Sequence, residues 1–221
     1  MSTTAEADGV SVASLPTPYY QDDAVTIYCG DCREILPQLP KHDLLLTDPP
    51  YGIAELWDKP YVAKSGCSRL WGTESNSWDA FAPVELVQSS IGQCDKSIVW
   101  GGNYFPIWPS RGFLVWDKKQ DFSGADSELA FVSWKMAPKT FRYSRVELAN
   151  EGKSHPTQKP LPLIRWCLSF APNAETILDP FAGSCTTGVA AKLEGRKATL
   201  IELEERYCEI GANRLSQGVL F

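Results

Sequence analysis

No apolar run in these 221 residues approaches the roughly 18 residues that a membrane-spanning helix needs, so no segment reads as a span and no membrane partner is expected. Met1 to Gly9 is polar and acidic and lacks the basic-then-apolar order of a signal peptide. Residues 1–24 therefore read as a flexible tail ahead of a single domain, 25–221, in a cytoplasmic protein. The seven cysteines follow no regular framework, and their odd count argues for reduced thiols over a disulfide scaffold. Cys29 and Cys32 have a metal-like spacing, but no second Cys or His pair follows at a matching distance, so no metal is expected. A basic surplus is missing as well. The 21 Lys and Arg against 27 Asp and Glu leave a formal charge of −6, the wrong sign for an obvious nucleic-acid binder. Histidine is scarce, and of the two present His42 reads as a surface loop residue. There is no internal repeat, no low-complexity tract and no G-x-G-x-x-G, so the pyrophosphate loop of a dinucleotide fold is absent.

The residues that remain describe a globular chain: 43% are hydrophobic and eight are tryptophan, enough for one well-buried domain. Short β-branched or apolar runs at Val25 to Tyr28, Asp43 to Thr47, Ser97 to Trp100, Gly112 to Trp116, Glu128 to Trp134, Thr140 to Val146, Thr176 to Leu178 and Lys197 to Ile201 read as strands. Helical spacing appears in Ala80 to Gln93, Leu161 to Phe170, Val189 to Leu193 (with Ser184 as N-cap and Gly195 as C-cap) and Glu204 to Leu215. This alternation predicts an α/β fold with a mostly parallel central sheet and helices on both faces. Two stretches resist assignment, Gly52 to Asp79 and Ala149 to Gln158; the first is too long for an ordinary connection, and such loops are usually functional. Charge is uneven along the chain. Lys135, Lys139, Arg142, Arg145, Lys153 and Lys159 share a stretch whose acids are Glu147 and Glu151, whereas Glu202, Glu204, Glu205 and Glu209 crowd the C-terminal segment. An acidic chain with such a cluster can still present one basic face.

Two constellations carry chemistry. The strand ending in Asp48-Pro49-Pro50-Tyr51 offers a carboxylate, exposed carbonyls where the prolines remove donors, and a flat ring, together a grip for a planar amine; a plain Pro-Pro turn is the other reading of these four letters. Asp179-Pro180-Phe181-Ala182-Gly183-Ser184 lies between a strand and a helix, where Gly183 allows close backbone approach and the helix N-terminus favours an anion. At the end of the following strand stands Glu202, an acid of the kind that accepts ribose hydroxyls in a βαβ unit. A nucleoside with a small charged tail, such as S-adenosylmethionine, fits this pair better than NAD does.

Taken in order with His155-Pro156-Thr157-Gln158-Lys159-Pro160, these strings resemble the DNA amino-methyltransferases of the N6-adenine/N4-cytosine family with permuted, β-type motif order, in which the catalytic motif precedes the cofactor motif. Trp100-Gly101-Gly102-Asn103-Tyr104-Phe105 and Trp116-Asp117-Lys118 are similar to small bacterial and phage methylases, and the resemblance runs from Val25 to Leu215. It implies a Rossmann-like S-adenosylmethionine-dependent methyltransferase fold, circularly permuted, with Val25 to Gly30 beside the Lys197 to Ile201 strand. It also implies that Asp31 and Cys32 meet the cofactor's adenine edge, Asp31 alternatively or additionally capping a helix. Thr157, Gln158 and Lys159 would lie at the cofactor's methionine end, with Lys159 suited to its carboxylate, and Asp179, Phe181, Ala182, Gly183, Ser184 and Glu202 would hold the rest. His155 reads as an orienting residue and not as a base. One departure stands out: Cys185 replaces a glycine that the family commonly has, and cysteine takes positive φ only at a cost.

The implied reaction is transfer of a methyl group to the N6 amine of adenine in double-stranded DNA, directly and after base flipping. Asp48 and the Pro49 carbonyl would hold the amine, and Tyr51 would stack on the base. An Asp-first motif is usual for adenine in the family; N4 of cytosine is the alternative, and an RNA or protein methyltransferase or a catalytically weak DNA-binding protein are the rivals. DNA contact is expected from Lys135, Lys139, Arg142, Arg145 and Lys153, with target recognition in insertions at about 52–79 and 135–154. A homodimer is implied by resemblance alone.

Overall fold

The computed structural model describes residues 14–53, 82–106, 111–119, 125–144, 147 and 158–217. Trp57, Trp71, Trp78, Arg145, Lys153, His155, Thr157 and most of the two unassigned stretches lie outside them. The strands are β1 (Tyr20–Gln21), β2 (Val25–Cys29), β3 (His42–Thr47), β4 (Cys94–Trp100), β5 (Gly112–Asp117), β6 (Ser127–Val132), β7 (Lys139–Arg142), β8 (Thr176–Asp179) and β9 (Lys197–Glu202). The α-helices are α1 (Cys32–Ile35), α2 (Val84–Gly92), α3 (Leu161–Ser169), α4 (Thr186–Leu193) and α5 (Glu205–Ser216).

The strands join in one sheet of order β1-β2-β9-β8-β3-β4-β6-β5-β7. The run from β2 through β9, β8 and β3 to β4 is parallel throughout, and antiparallel pairing is confined to β1 at one edge and to β6 against β4 and β5. The expected neighbours β2 and β9 are in register from Val25 opposite Ala198 to Cys29 opposite Glu202.

Period-two alternation divides the core. Leu44, Leu46, Ile98, Trp100, Ile177 and Leu200 face α3, α4 and α5, whereas Leu45, Val99, Leu178 and Ile201 face α1 and α2. The central strand β3 is therefore apolar on both sides, as a strand covered on both faces must be. In α3, Leu163, Ile164, Cys167 and Leu168 repeat at helical spacing and are buried; each such side chain contributes about 1.5–3 kcal/mol by leaving water. The prolines flanking the start of α3 (Pro160 at the N-cap and Pro162 in the first turn) fix the backbone that follows Lys159.

Three expectations need correction. The flexible tail does not extend to residue 24, because Tyr20–Gln21 pairs with β2. The Asp22 carboxylate ties that end down, accepting from the Ala24 and Val25 N–H groups at 2.8 and 2.7 Å and from Lys192 at 2.5 Å. His42 is no surface loop residue. It opens β3, is buried, and has Nε2 at 3.0 Å from the Thr199 hydroxyl. Finally, α4 starts later than expected, with Cys185 and not Ser184 as N-cap.

Candidate active site

Chain connections leave β8 toward β9 on one side and β3 toward β4 on the other, so the carboxyl ends of β8 and β3 bound the crevice where strand order reverses, the usual ligand position in an open α/β sheet. A cleft of about 540 Å³ opens there. The two strands are pinned at both ends. At their amino ends, Asp43 Oδ2 accepts from the Glu175 N–H, the Thr176 N–H and the Thr176 hydroxyl, each at 2.8 Å, and the Thr176 bonds hold its carboxyl below the usual range. At their carboxyl ends, the Thr47 hydroxyl donates to Asp179 at 2.7 Å.

Asp179 then organises the glycine loop. Its carboxylate also accepts from the Thr187 hydroxyl at 2.7 Å and the Phe181 N–H at 3.2 Å, and burial pushes it up to about 6. Glu202 accepts from the Gly183 N–H at 2.7 Å and from the Glu204 N–H at 2.9 Å; burial raises its carboxyl. The Ser184 hydroxyl donates to Gln158 at 3.2 Å, and Arg214 on α5 donates to the Ser184 carbonyl and to the Thr186 hydroxyl. Cys185 holds the left-handed conformation (φ 60°, ψ 32°), which costs an L-residue roughly 1–2 kcal/mol. Its sulfur is buried against Gly211 of α5, where any Cβ would overlap it.

Opposite the loop, the Asp48 carboxylate has donors on both oxygens: the Tyr51 hydroxyl on Oδ1 at 2.5 Å and the Lys159 ammonium on Oδ2. Lys159 lies 3.0 Å from Glu128, which in turn pairs with Lys118 at 2.5 Å. The result is a row of alternating charges inside the protein, with Lys159 and Lys118 almost wholly buried. Burial alone would raise Glu128, but the two ammonium groups outweigh it and hold the carboxyl down to about 2. Burial raises Asp48, opposed by Lys159 and reinforced by the charge of Glu128. Burial would depress Lys159, yet its two carboxylate neighbours raise it.

The Tyr51 ring stacks on Tyr104, with centroids 5.0 Å apart at 18°, and meets Phe105 edge-on. This packing needs Gly101, which has φ +65° and lies where a Cβ would overlap the Tyr51 ring. The Trp100 indole N–H is buried in the cleft lining and has no hydrogen-bond partner among the described residues.

Of the residues expected in the site, the cleft brings together Asp48, Pro50, Gln158, Lys159, Asp179, Phe181, Ala182, Gly183, Ser184 and Glu202, with Asp31 and Cys32 among its lining. Tyr51 and Pro49 flank Asp48. Asp31 caps α1, accepting the Arg33 N–H at 2.8 Å. Lys159 differs from expectation, since its ammonium is engaged by the two nearest carboxylates. Lys135, Lys139 and Arg142 lie away from the cleft, exposed at and before the edge strand β7, with Arg142 3.2 Å from Asp117. Glu128, Lys118, Trp100 and Arg214 were not expected in the site. Among the described residues no group of three or more His, Cys, Asp or Glu could hold a metal ion, and no helix is long and apolar enough to cross a membrane.

Fold and site together define an α/β protein with a cleft of about 540 Å³ at the carboxyl ends of the central strands, one wall of which carries the Asp48 carboxylate. Comparison with known proteins specifies the class. A family model described as DNA methylase, of N6 and N4 methyltransferases, matches residues 98–213, and the chain belongs to that family. It is 28% identical to the DNA adenine methyltransferase YhdJ of Escherichia coli (strain K12), over 89% of this chain and 84% of that one. Among solved structures, the M1.HpyAVI–SAM complex is similar (TM-score 0.57, 19% identity, 86% of this chain and 99% of that one). So is the cytosine-N4-specific PvuII DNA methyltransferase (TM-score 0.61, 16% identity, 92% and 90%). The fold is that of the S-adenosylmethionine-dependent methyltransferases.

Two outcomes are expected from the loop. Because the Asp179 carboxyl is raised from 3.8 to about 6 on folding, its contribution is fully present below pH ~4 and lost as pH rises through ~6, an effect of about 2–3 kcal/mol. The stability of wild type relative to Asp179→Asn, from urea denaturation, should fall by that amount between pH 4 and pH 7. Gly211→Ala should destabilise by about 1–3 kcal/mol despite alanine's helix propensity. Cys185→Gly in the same chain, which removes both the sulfur and the Cβ that a side chain at 211 would meet, should restore most of the loss.

Proposed function

We propose that the protein transfers a methyl group from S-adenosylmethionine to the N6 amine of adenine in double-stranded DNA, directly and after the base leaves the stack. The observation that carries this reading is the Asp48 carboxylate, held at the cleft end of β3 across from the Gly183 loop and Glu202. The cleft suits the cofactor: Glu202 would accept ribose hydroxyls, Asp31 and Cys32 would border the adenine, and Thr157 and Gln158 would serve the methionine end, while the Lys159 ammonium is taken by Asp48 and Glu128. The Trp100 indole N–H, without a partner among the described residues, is a donor for a bound polar group. When bound, the cofactor supplies an electrophilic methyl group.

The chain's residues do the positioning. A carboxylate has about four acceptor sites, and Tyr51 and Lys159 engage one on each Asp48 oxygen, leaving sites for the amine hydrogens. With the Pro49 carbonyl as second acceptor, the amine would be turned so that its lone pair meets the methyl group. The N–C bond would form as the C–S bond breaks, releasing S-adenosylhomocysteine as the neutral thioether, and the cationic nitrogen would then lose one proton to solvent. No covalent enzyme intermediate is required, and catalysis is orientation plus electrostatics. Tyr51, stiffened by Tyr104, is the stacking surface for the flipped base. Lys135, Lys139, Arg142, Arg145 and Lys153 would contact phosphates, and the insertions at about 52–79 and 135–154 would read base edges. Adenine is favoured by the Asp-first motif and by the name of the YhdJ relative; the PvuII neighbour keeps cytosine N4 as the second reading. A cytoplasmic homodimer completes the proposal.

Labelled S-adenosylmethionine offered with duplex DNA, RNA and protein tests it. The expected result is label in DNA, recovered as 6-methyladenine after digestion, with Asp48→Ala reducing it about 10²–10³-fold. Recovery of 4-methylcytosine alone would exchange the base, and label only in RNA or protein would move the substrate.

A further inference from the structure

Glu128 reaches the cleft through strand register. It stands opposite Trp116 in the β5–β6 pair, two residues beyond Ala130, which is opposite Trp100, the last residue of β4. Strand β6 therefore overruns β4 at the edge where Asp48 sits, and period-two alternation puts Glu128, Trp100 and Trp116 on one face of the sheet. Lys118, two residues after Trp116, follows on that face, with its ammonium 5.2 Å from the Trp116 ring. Lys159 is consequently confined. Asp48 and Glu128 pair with it, the Tyr51 hydroxyl lies 3.4 Å away, and the Trp100 and Tyr51 rings stand 5.7 and 5.8 Å from its nitrogen.

A buried ion row of this kind is weak evidence for stability, because desolvation of four charges offsets their attraction. Its orienting effect is more direct. Without Glu128 the Lys159 ammonium would have one carboxylate partner and could leave Asp48 for any other anion in the cleft. We propose that Glu128, itself held by Lys118, is a positioning residue for methyl transfer: it keeps the Lys159 ammonium against Asp48, and so fixes the direction in which that carboxylate receives the target amine. This role rests on the reading of Asp48 as the amine acceptor.

Glu128→Gln keeps the shape and removes the charge. Its kcat on duplex DNA should fall about 10–100-fold, as expected for a displaced catalytic group, while the KM for S-adenosylmethionine stays within about twofold. The groups facing Asp48 are Lys159, Tyr51, Glu128 and, behind it, Asp179. Once Lys159 leaves Asp48 in this variant, the carboxylate loses an attraction larger than the Glu128 repulsion it escapes. The acid limb of kcat should therefore shift to higher pH, whereas a shift to lower pH would mean that Lys159 stays on Asp48 without Glu128 and would overturn the proposal. Lys118→Met should lower kcat in the same direction. The double variant Lys118→Met/Glu128→Gln should be no slower than Glu128→Gln alone, since Lys118 acts through Glu128; it also removes one charge of each sign, so it keeps the test open should Glu128→Gln fold poorly. The proposal is overturned if kcat per folded molecule is unchanged in the variants, if the loss lies in the cofactor KM with kcat intact, or if the two substitutions multiply. Failure of the underlying reading is distinguishable, because the wild type itself would then leave DNA unmethylated.

Discussion

The Asp179 carboxylate receives one hydroxyl from Thr47, the residue before Asp48, and another from Thr187 inside α4. Thr47 and Asp179 are 132 residues apart in sequence, one in the opening third of the chain and the other near its end. A buried carboxylate without partners would be costly, so these hydroxyls and the Phe181 N–H are requirements of folding as much as contacts. Through them the strand that presents Asp48 and the loop that borders the cleft are tied to one carboxylate. Permuted order is tolerable for this reason: what matters is that β3 and β8 lie side by side, and the Asp43–Thr176 cluster at the other end enforces the same pairing.

The acceptor wall is built differently. There the groups are ions and rings, and each restrains the next. Gly101 lets Tyr51 approach, Tyr104 covers one face of its ring, and the Tyr51 hydroxyl turns Asp48. In the proposed reaction, such preorganised groups in a partly dry site would act on the amine without reorganising at the moment of transfer. The cost of holding them appears in the raised Asp48 and Tyr51 groups, both driven chiefly by burial. Electrostatic stress is thus concentrated where chemistry is expected, and the apolar strands around it supply the stability.

Much of this was legible in the residues. Strands such as His42–Thr47 announce themselves as apolar runs closed by an acid and prolines, and local spacing was enough to put the glycine loop and Glu202 on one cleft. Glu128 and Lys118 could not be read that way. Their meeting with Lys159 depends on how far β6 extends past β4, a matter of antiparallel register that no local pattern records. Lys159 was expected at a cofactor carboxylate from resemblance alone, and its pairing with Asp48 and Glu128 is a long-range fact that the sequence around it does not record. Arg214 looked like one more polar residue of an amphipathic helix. His42 read as a surface loop residue, although it opens a strand that is buried on both faces. The Asp22 turn was lost in a polar tail because its partner, Lys192, lies far along the chain.

Cys185 and Gly211 carry a historical consequence. The sulfur occupies the space that a side chain at 211 would need, so the two positions cannot vary independently. Any stepwise route between glycine at 185 with alanine at 211 and the present pair meets this overlap unless glycine stands at 211 before the thiol arrives at 185. The glycine in α5 is thus a locked door behind the cysteine, and a library that randomises either position alone will recover only this pair's neighbours on one side of it.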